Sequence, residues 1–82
     1  MKRNPSLTRR VGRTVKSYRR HLGLSQEALG DRARLTGKYI GEIERGQKSM
    51  TLEAFAAVAA ALGTAMHVLL AGMSANGGRR NA

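Results

Sequence analysis

The stretch from Ser25 to Gly46, SQEALGDRARLTGKYIGEIERG, decides the fold. Ser25 is a good helix N-cap, and Gln26 and Glu27 stand in the first turn behind it. The helix runs over about residues 25–33, burying Ala28 or Leu29 together with Ala33, and Gly30 offers a place for close backbone approach. Thr36 caps a second helix that continues to about Arg45 and stops at Gly46. Leu35, Ile40 and Ile43 recur at helical spacing, so one face of this second helix is buried. Gly37 and Gly41 lie inside it, although each costs about 1 kcal/mol relative to alanine. Only two or three residues around Arg34 and Leu35 join the two helices, so they must cross steeply, as in a helix-turn-helix.

Outward from this unit, Leu7, Val11, Val15, Tyr18 and Leu22 recur every three or four residues. They predict a helix with one buried stripe and a basic outer face, closed by Gly23. Beyond the loop QKSM, Thr51 caps a helix in which Leu52, Phe55, Val58, Ala59 and Leu62 share a face and Gly63 ends the element. A short helix over TAMHVLLAG closes the domain. No strand pattern or internal repeat is visible. The expectation is an all-α, compact five-helix bundle over residues 7–72. A flexible basic arm over 1–6 precedes it, and a flexible small, polar and basic tail over 73–82 follows.

The 82 residues suffice for one small domain. Fifteen Lys and Arg face five Asp and Glu. Residues 1–22 carry Lys2, Arg3, Arg9, Arg10, Arg13, Lys16, Arg19 and Arg20 and no acid. Such a balance favours a polyanionic partner through counterion release or attraction to anionic lipid, against a basic surface that merely aids solubility. There is no cysteine, which excludes disulfides and suits a cytoplasmic, nucleoid-associated protein. No apolar run approaches the roughly 20 residues of a membrane span, and the start lacks a signal-peptide core. His21 and His67 are the only histidines and lie far apart, so neither a metal site nor a cofactor is expected. No nucleophile elbow, triad or phosphate loop appears, and catalysis is not expected.

The ordered set GLSQEAL (23–29), YIGEIERG (39–46) and LEAFAAVAAALG (52–63) resembles the DNA-binding domain of the phage Cro/repressor family, also called the xenobiotic-response-element family. The resemblance spans about residues 12–70 and implies the lambda-repressor-like form of the helix bundle. Within that family, KYIGEIERGQKSMTL (38–52) is most similar to restriction-modification controller proteins, small one-domain regulators with a tyrosine at this point. The front of the helix that Thr36 caps would enter the major groove of double-stranded DNA.

The resemblance assigns roles residue by residue. Gln26 stands where the family holds a phosphate, next to the capping Ser25. Thr36, Gly37, Lys38, Tyr39 and Glu42 stand at base-reading and groove-contacting positions. Lys48 and Ser49 match backbone-contacting positions, Arg45 lies near the phosphates, and Arg19 and Glu44 match a structural ion pair. Chemically, Lys38 can donate to guanine O6 or N7. Tyr39 can pack on a sugar or a thymine methyl, or serve as a partly buried wedge. Glu42 can accept from cytosine N4, or pair with Lys38 one helical turn away. Two departures from the family stand out. Arg34 occupies a turn position usually held by glycine, where the turn differs or the side chain reaches a phosphate. Gly37 replaces a long polar residue, and is expected to let the backbone approach DNA closely, while Gly41 lets the helix sit tightly on its neighbour or on DNA.

The helix after Thr51 has an outer face of Ala54, Ala56, Ala57, Ala60 and Ala61. In the last helix, His67 and Val68 stand where the family often has acids. Ala57, Ala60, Ala61, Met66, His67, Val68 and Ala71 are therefore expected to form a homodimer interface, placing two reading helices on an inverted repeat roughly 34 Å apart. The resulting expectation is a sequence-specific transcriptional regulator, a repressor by resemblance, of bacterial or phage type. The competing reading is an antitoxin or other module that binds a protein partner, a toxin or a polymerase, with DNA binding secondary. Membrane binding would require the packed helices to open.

Overall fold

The computed structural model describes residues 5–71. Four helices, α1 (Pro5–His21), α2 (Gln26–Ala33), α3 (Gly37–Glu44) and α4 (Leu52–Ala61), are followed by a fifth, α5, over residues 66–71. Among the described residues there is no strand. The expected tail, and all of the arm except Pro5 and Ser6, lie outside the described residues. Pro5 and Ser6 themselves belong to α1, which starts two residues before Leu7.

The helix starts follow local chemistry. The hydroxyls of Ser25, Thr36 and Thr51 accept from the backbone N–H groups of Ala28, Tyr39 and Ala54 at 2.9, 3.0 and 3.0 Å. Each supplies an acceptor to a first-turn N–H that lacks one inside the helix. The ends of α1 to α4 share one device. A residue in the left-handed conformation donates its N–H back three residues, and the following N–H reaches back five. Glycine occupies that position after α1, α3 and α4, but Arg34 occupies it after α2, at φ 61°. The turn keeps the left-handed geometry of the three glycine ends, and Arg34 bears its strain. A left-handed non-glycine residue costs about 1–2 kcal/mol. Glycine's extra freedom in the unfolded chain offsets about 0.4–1 kcal/mol of any relief. Arg34→Gly should therefore stabilise the domain by about 0.5–1 kcal/mol in urea denaturation. An unchanged or lower midpoint would mean that Arg34 makes a compensating contact.

The core gathers Val15, Leu29, Ala33, Ile40, Ile43, Val58, Ala59, Leu62 and Leu69. Two expected stripes are turned relative to the sequence reading. In α1 the buried line runs Thr8, Gly12 and Val15, whereas Leu7 and Leu22 are exposed and Val11 and Tyr18 only half-buried. Gly12 is the cause. A Cβ there would stand 2.2 Å from the Ile43 carbonyl oxygen and 2.8 Å from that of Glu44, so α1 lies directly on the backbone of α3. In α4, Leu52 is 72% exposed and Ala54, expected outside, is buried. Small Ala54 lies on the inward side with Val58 and Ala59, while Leu52, in the first turn, borders a surface groove with Leu7, Phe55 and Leu70.

The crossing of α2 and α3 also depends on missing side chains. A Cβ on Gly30 would fall 2.6 Å from the Leu35 carbonyl oxygen, within the connection itself. Gly37 sits against Glu27, where a Cβ would meet Cγ at 2.8 Å and Cα at 3.1 Å. The small size of Gly37 therefore admits α2, a role beside the close approach to DNA expected of it. Ile40 and Ile43 are buried on the inner side, with Leu35 packed half-buried beside them, so α3 is held with its outer face free of the bundle.

Candidate nucleic-acid interface

The outer face of α3 presents Thr36 and Lys38 fully, and Tyr39 and Glu42 in part. The Thr36 hydroxyl accepts from Tyr39 N–H as the N-cap and keeps its O–H as a donor beside the outward methyl. Lys38 forms no ion pair with a described residue and projects from the first turn. Tyr39 packs one side against the core. This placement agrees with the wedge reading while keeping part of the ring accessible.

Behind this face lies a buried polar cluster. The Glu44 carboxylate has only 2% of its side chain exposed, and Arg19 has 11%. Arg19 donates from Nε to Oε2 at 2.6 Å, from Nη2 to Oε1 at 3.0 Å and from Nη1 to the Leu24 carbonyl at 2.7 Å. The Gln26 amide Nε2 donates to Glu44 Oε1 at 3.0 Å. Such a two-pronged guanidinium–carboxylate contact has defined geometry as well as charge compensation. It binds α1, the start of α2 and the end of α3 to one another, and fixes the rotamer of Gln26 at the entrance to α2.

Gln26 is placed further by Gly41. A Cβ at Gly41 would lie 3.2 Å from Gln26 Oε1 and 3.1 Å from Arg45 Nη1, so both side chains lie over that bare patch of α3. Arg45 also donates from Nε to Gln47 Oε1 at 3.2 Å. Lys48 Nζ stands 3.8 Å from Glu42 Oε1, and this replaces the Lys38 partnership considered from helical spacing. Lys48 reaches back from the loop, so its ammonium neutralises the one acid on the reading face. Ser49 in the same loop is within 3.4 Å of the Thr8 hydroxyl on α1. The structure thus bonds Gln26 to Glu44, lays Arg45 over the same glycine as Gln26, joins Glu42 to Lys48, and leaves Lys38 extending from their edge. Gln47 and Thr8 were given no role in the sequence, and Glu27 was placed only in the first turn of its helix. Their partners are two or more residues away across turns or on other helices, and no helical spacing signals them.

The face expected at a dimer interface is mixed. Ala60, His67, Val68 and Ala71 are exposed, whereas Ala57, Ala61 and Met66 are half-buried against the core. Among the described residues, no helix is long and apolar enough to cross a membrane.

A short helix pair crossing on two glycines, with a polar helix face held clear of its own bundle, defines a helix-turn-helix regulator that binds DNA. A family profile described as a helix-turn-helix domain matches residues 10–71, and the chain belongs to that family. It is similar to Control protein C.SmaI of Serratia marcescens, 38% identical over 60 residues that cover 73% of this chain and 71% of the relative. Among solved structures it is similar to the restriction-modification controller protein C.AhdI of Aeromonas hydrophila. Identity there is 32%, over 76% of this chain and 94% of that one, with a TM-score of 0.74. It is also similar to the clp gene regulator ClgR of Corynebacterium glutamicum, at 28% identity, 85% and 74% coverage and a TM-score of 0.81. The resemblance to Cro/repressor-type regulators drawn from the sequence motifs agrees with these matches.

Proposed function

We propose that this protein is a sequence-specific regulator of transcription, reading double-stranded DNA in the cytoplasm with α3 in the major groove. The observation that carries this reading is the exposed front of α3, propped from behind by Ile40, Ile43 and the Gly37–Glu27 contact. Lys38 supplies a donor for guanine, and Thr36 and Tyr39 supply apolar contacts to sugar or thymine. Ser25, Gln26, Arg45, Lys48 and Ser49 surround that front with backbone-contacting groups. The start of α2 adds its free N–H groups for a phosphate. Neutralising a toxin, the second reading of the sequence, gains no support from the matched proteins, which are named as control and regulator proteins.

Selection of bound duplexes from a random pool tests the reading, with a defined site as the expected product. On that site, Lys38→Ala should cost about 1–3 kcal/mol while leaving affinity for random duplex nearly unchanged. Lys48→Ala should weaken both and flatten the salt dependence by about one phosphate. Equal losses on every duplex for Lys38→Ala would reduce Lys38 to a backbone contact.

The protein acts as a homodimer on an inverted repeat in this proposal. Val68, 38% exposed on α5 one turn before the exposed Ala71, supplies apolar surface that association would cover. Sedimentation at tens of micromolar should show a dimer for the wild type and a monomer for Val68→Glu. A wild-type monomer both free and on the selected duplex would remove the dimer and leave the reading by α3 intact.

A further inference from the structure

We propose that one side of α1, bearing Arg9, Arg13, Lys16 and Arg20, is a second phosphate-contacting surface that engages duplex DNA outside the segment read by α3. The proposal rests on the reading of α3 as the groove-entering helix and extends its footprint. The four cations are spaced by four, three and four residues. At 100° per residue they fall within one narrow sector of α1, about a quarter turn from the buried line of Thr8, Gly12 and Val15. Leu7, Val11 and Tyr18 occupy the opposite flank, so the basic side is separate from the apolar groove.

All four side chains are exposed, and none forms an ion pair with a described residue. The acids available to the region are already engaged: Glu44 holds Arg19, and Glu42 faces Lys48. Arg13, Lys16 and Arg20 border a single shallow depression with Ser17 and His21. Like charges three and four residues apart repel on a helix, so the stripe disfavours the free domain and is relieved by a polyanion.

Geometry selects a nucleic-acid backbone as that polyanion. From Arg9 to Arg20 the rise is about 16 Å, long enough for the four cations to reach several phosphates along a DNA backbone. The stripe also adjoins the proposed interface at both ends. Gly46 lies directly on Arg9, where a Cβ would be 2.7 Å from Cγ and 3.3 Å from Cα, and the same loop carries Lys48. Arg20 follows Arg19, which is joined through Glu44 to Gln26. A strand leaving the phosphate positions near Lys48 or Gln26 therefore meets the basic side of α1 next.

The test compares the wild type with R9Q/R13Q/K16Q/R20Q on two duplexes. One contains only the selected site, and the other extends it by about one helical turn, roughly 10 base pairs, at each end. Far-ultraviolet circular dichroism and urea midpoints check that the variant folds; if it does not, R13Q/K16Q replaces it. The extension should tighten wild-type binding by about tenfold or more at low salt and not tighten the variant. On the extended duplex the wild-type salt slope should be steeper by about 3 to 4 for the fourfold change, or nearly 2 for the double one. On the short duplex the two proteins should bind alike. Equal gains and equal slopes would overturn the proposal. It is likewise overturned if the wild type binds phosphatidylglycerol vesicles more tightly than the extended duplex at matched salt and the variant loses only that binding. Failure to select any site from the random pool would instead fail the reading of α3, so the two outcomes are separable.

Discussion

Arg19→Met should leave the protein largely unfolded at 25 °C and neutral pH. The substitution keeps most of the side-chain volume but removes three donated hydrogen bonds, two of them to a carboxylate with 2% of its surface exposed. Glu44 would then retain only the Gln26 amide as a partner among the described contacts. Removing one member of a buried ion pair costs about 3–5 kcal/mol, because the remaining charge stays in a poorly solvated site. A single core of this size contributes about 3–5 kcal/mol of net stability, so the loss is comparable to the whole. Urea denaturation followed by circular dichroism measures it directly. Arg19→Met with Glu44→Leu should recover most of the stability, since an apolar pair of similar volume needs no solvation. That double variant should still bind DNA more weakly, because Gln26 has lost the acceptor that sets its rotamer. A loss below about 1 kcal/mol for Arg19→Met alone would show that water reaches Glu44 and that the pair is a surface contact.

Gly12→Ala ranks next. Every atom that a Cβ would strike belongs to the backbone of α3: the Ile43 oxygen at 2.2 Å, and the Glu44 oxygen and carbonyl carbon at 2.8 and 3.0 Å. Backbone cannot swing aside as a side chain can, so α1 must lift or slide. Overpacking of this kind costs about 1–3 kcal/mol, and the clash here places the loss at the upper end despite alanine's better helix propensity. The displacement occurs where Arg19 meets Glu44, so DNA affinity should fall together with stability. Gly41→Ala is the control. The nearest atoms to its Cβ are side-chain ends of Gln26 and Arg45, at 3.2 and 3.1 Å, which need give only a few tenths of an ångström. Thermal melts should show a large drop for Gly12→Ala and a shift within a few degrees for Gly41→Ala. Equal shifts would mean that α1 has room to adjust.

Much of the candidate interface was legible because its parts lie close together in the chain. Ser25, Gln26, Thr36, Lys38 and Tyr39 fall within fifteen residues, and capping chemistry orients them. The Arg19–Glu44 pair came from resemblance to a family and is present as a two-pronged contact. The sequence reading missed the additional bond from Gln26, which makes the pair a link to the interface. Glu42 was left between cytosine and Lys38, and in the free protein the base it faces is Lys48, six residues on and past the helix end. Periodicity along a helix cannot count a partner in the following loop. The stripe of α1 was misplaced for a related reason: hydrophobic spacing located Leu7 and Leu22, but the inward side was selected by Gly12, which has no side chain to contribute to such a pattern.

Local chemistry along the chain already places the beginnings and ends of the helices. Each cap acts over three to five residues, and Ser25, Thr36, Thr51, Gly23, Gly46 and Gly63 perform it without reference to the rest of the chain. The sequence also sets the charge that calls for an anionic partner. Which side of α1 is buried, why Gly37 is small and which base Glu42 faces emerge only once the helices are packed. Those outcomes depend on the packing of whole helices, which leaves no room for a Cβ at Gly12 or Gly37 and brings the Lys48 side chain to Glu42. No local preference encodes such an approach, since it exists only once both partners are in place.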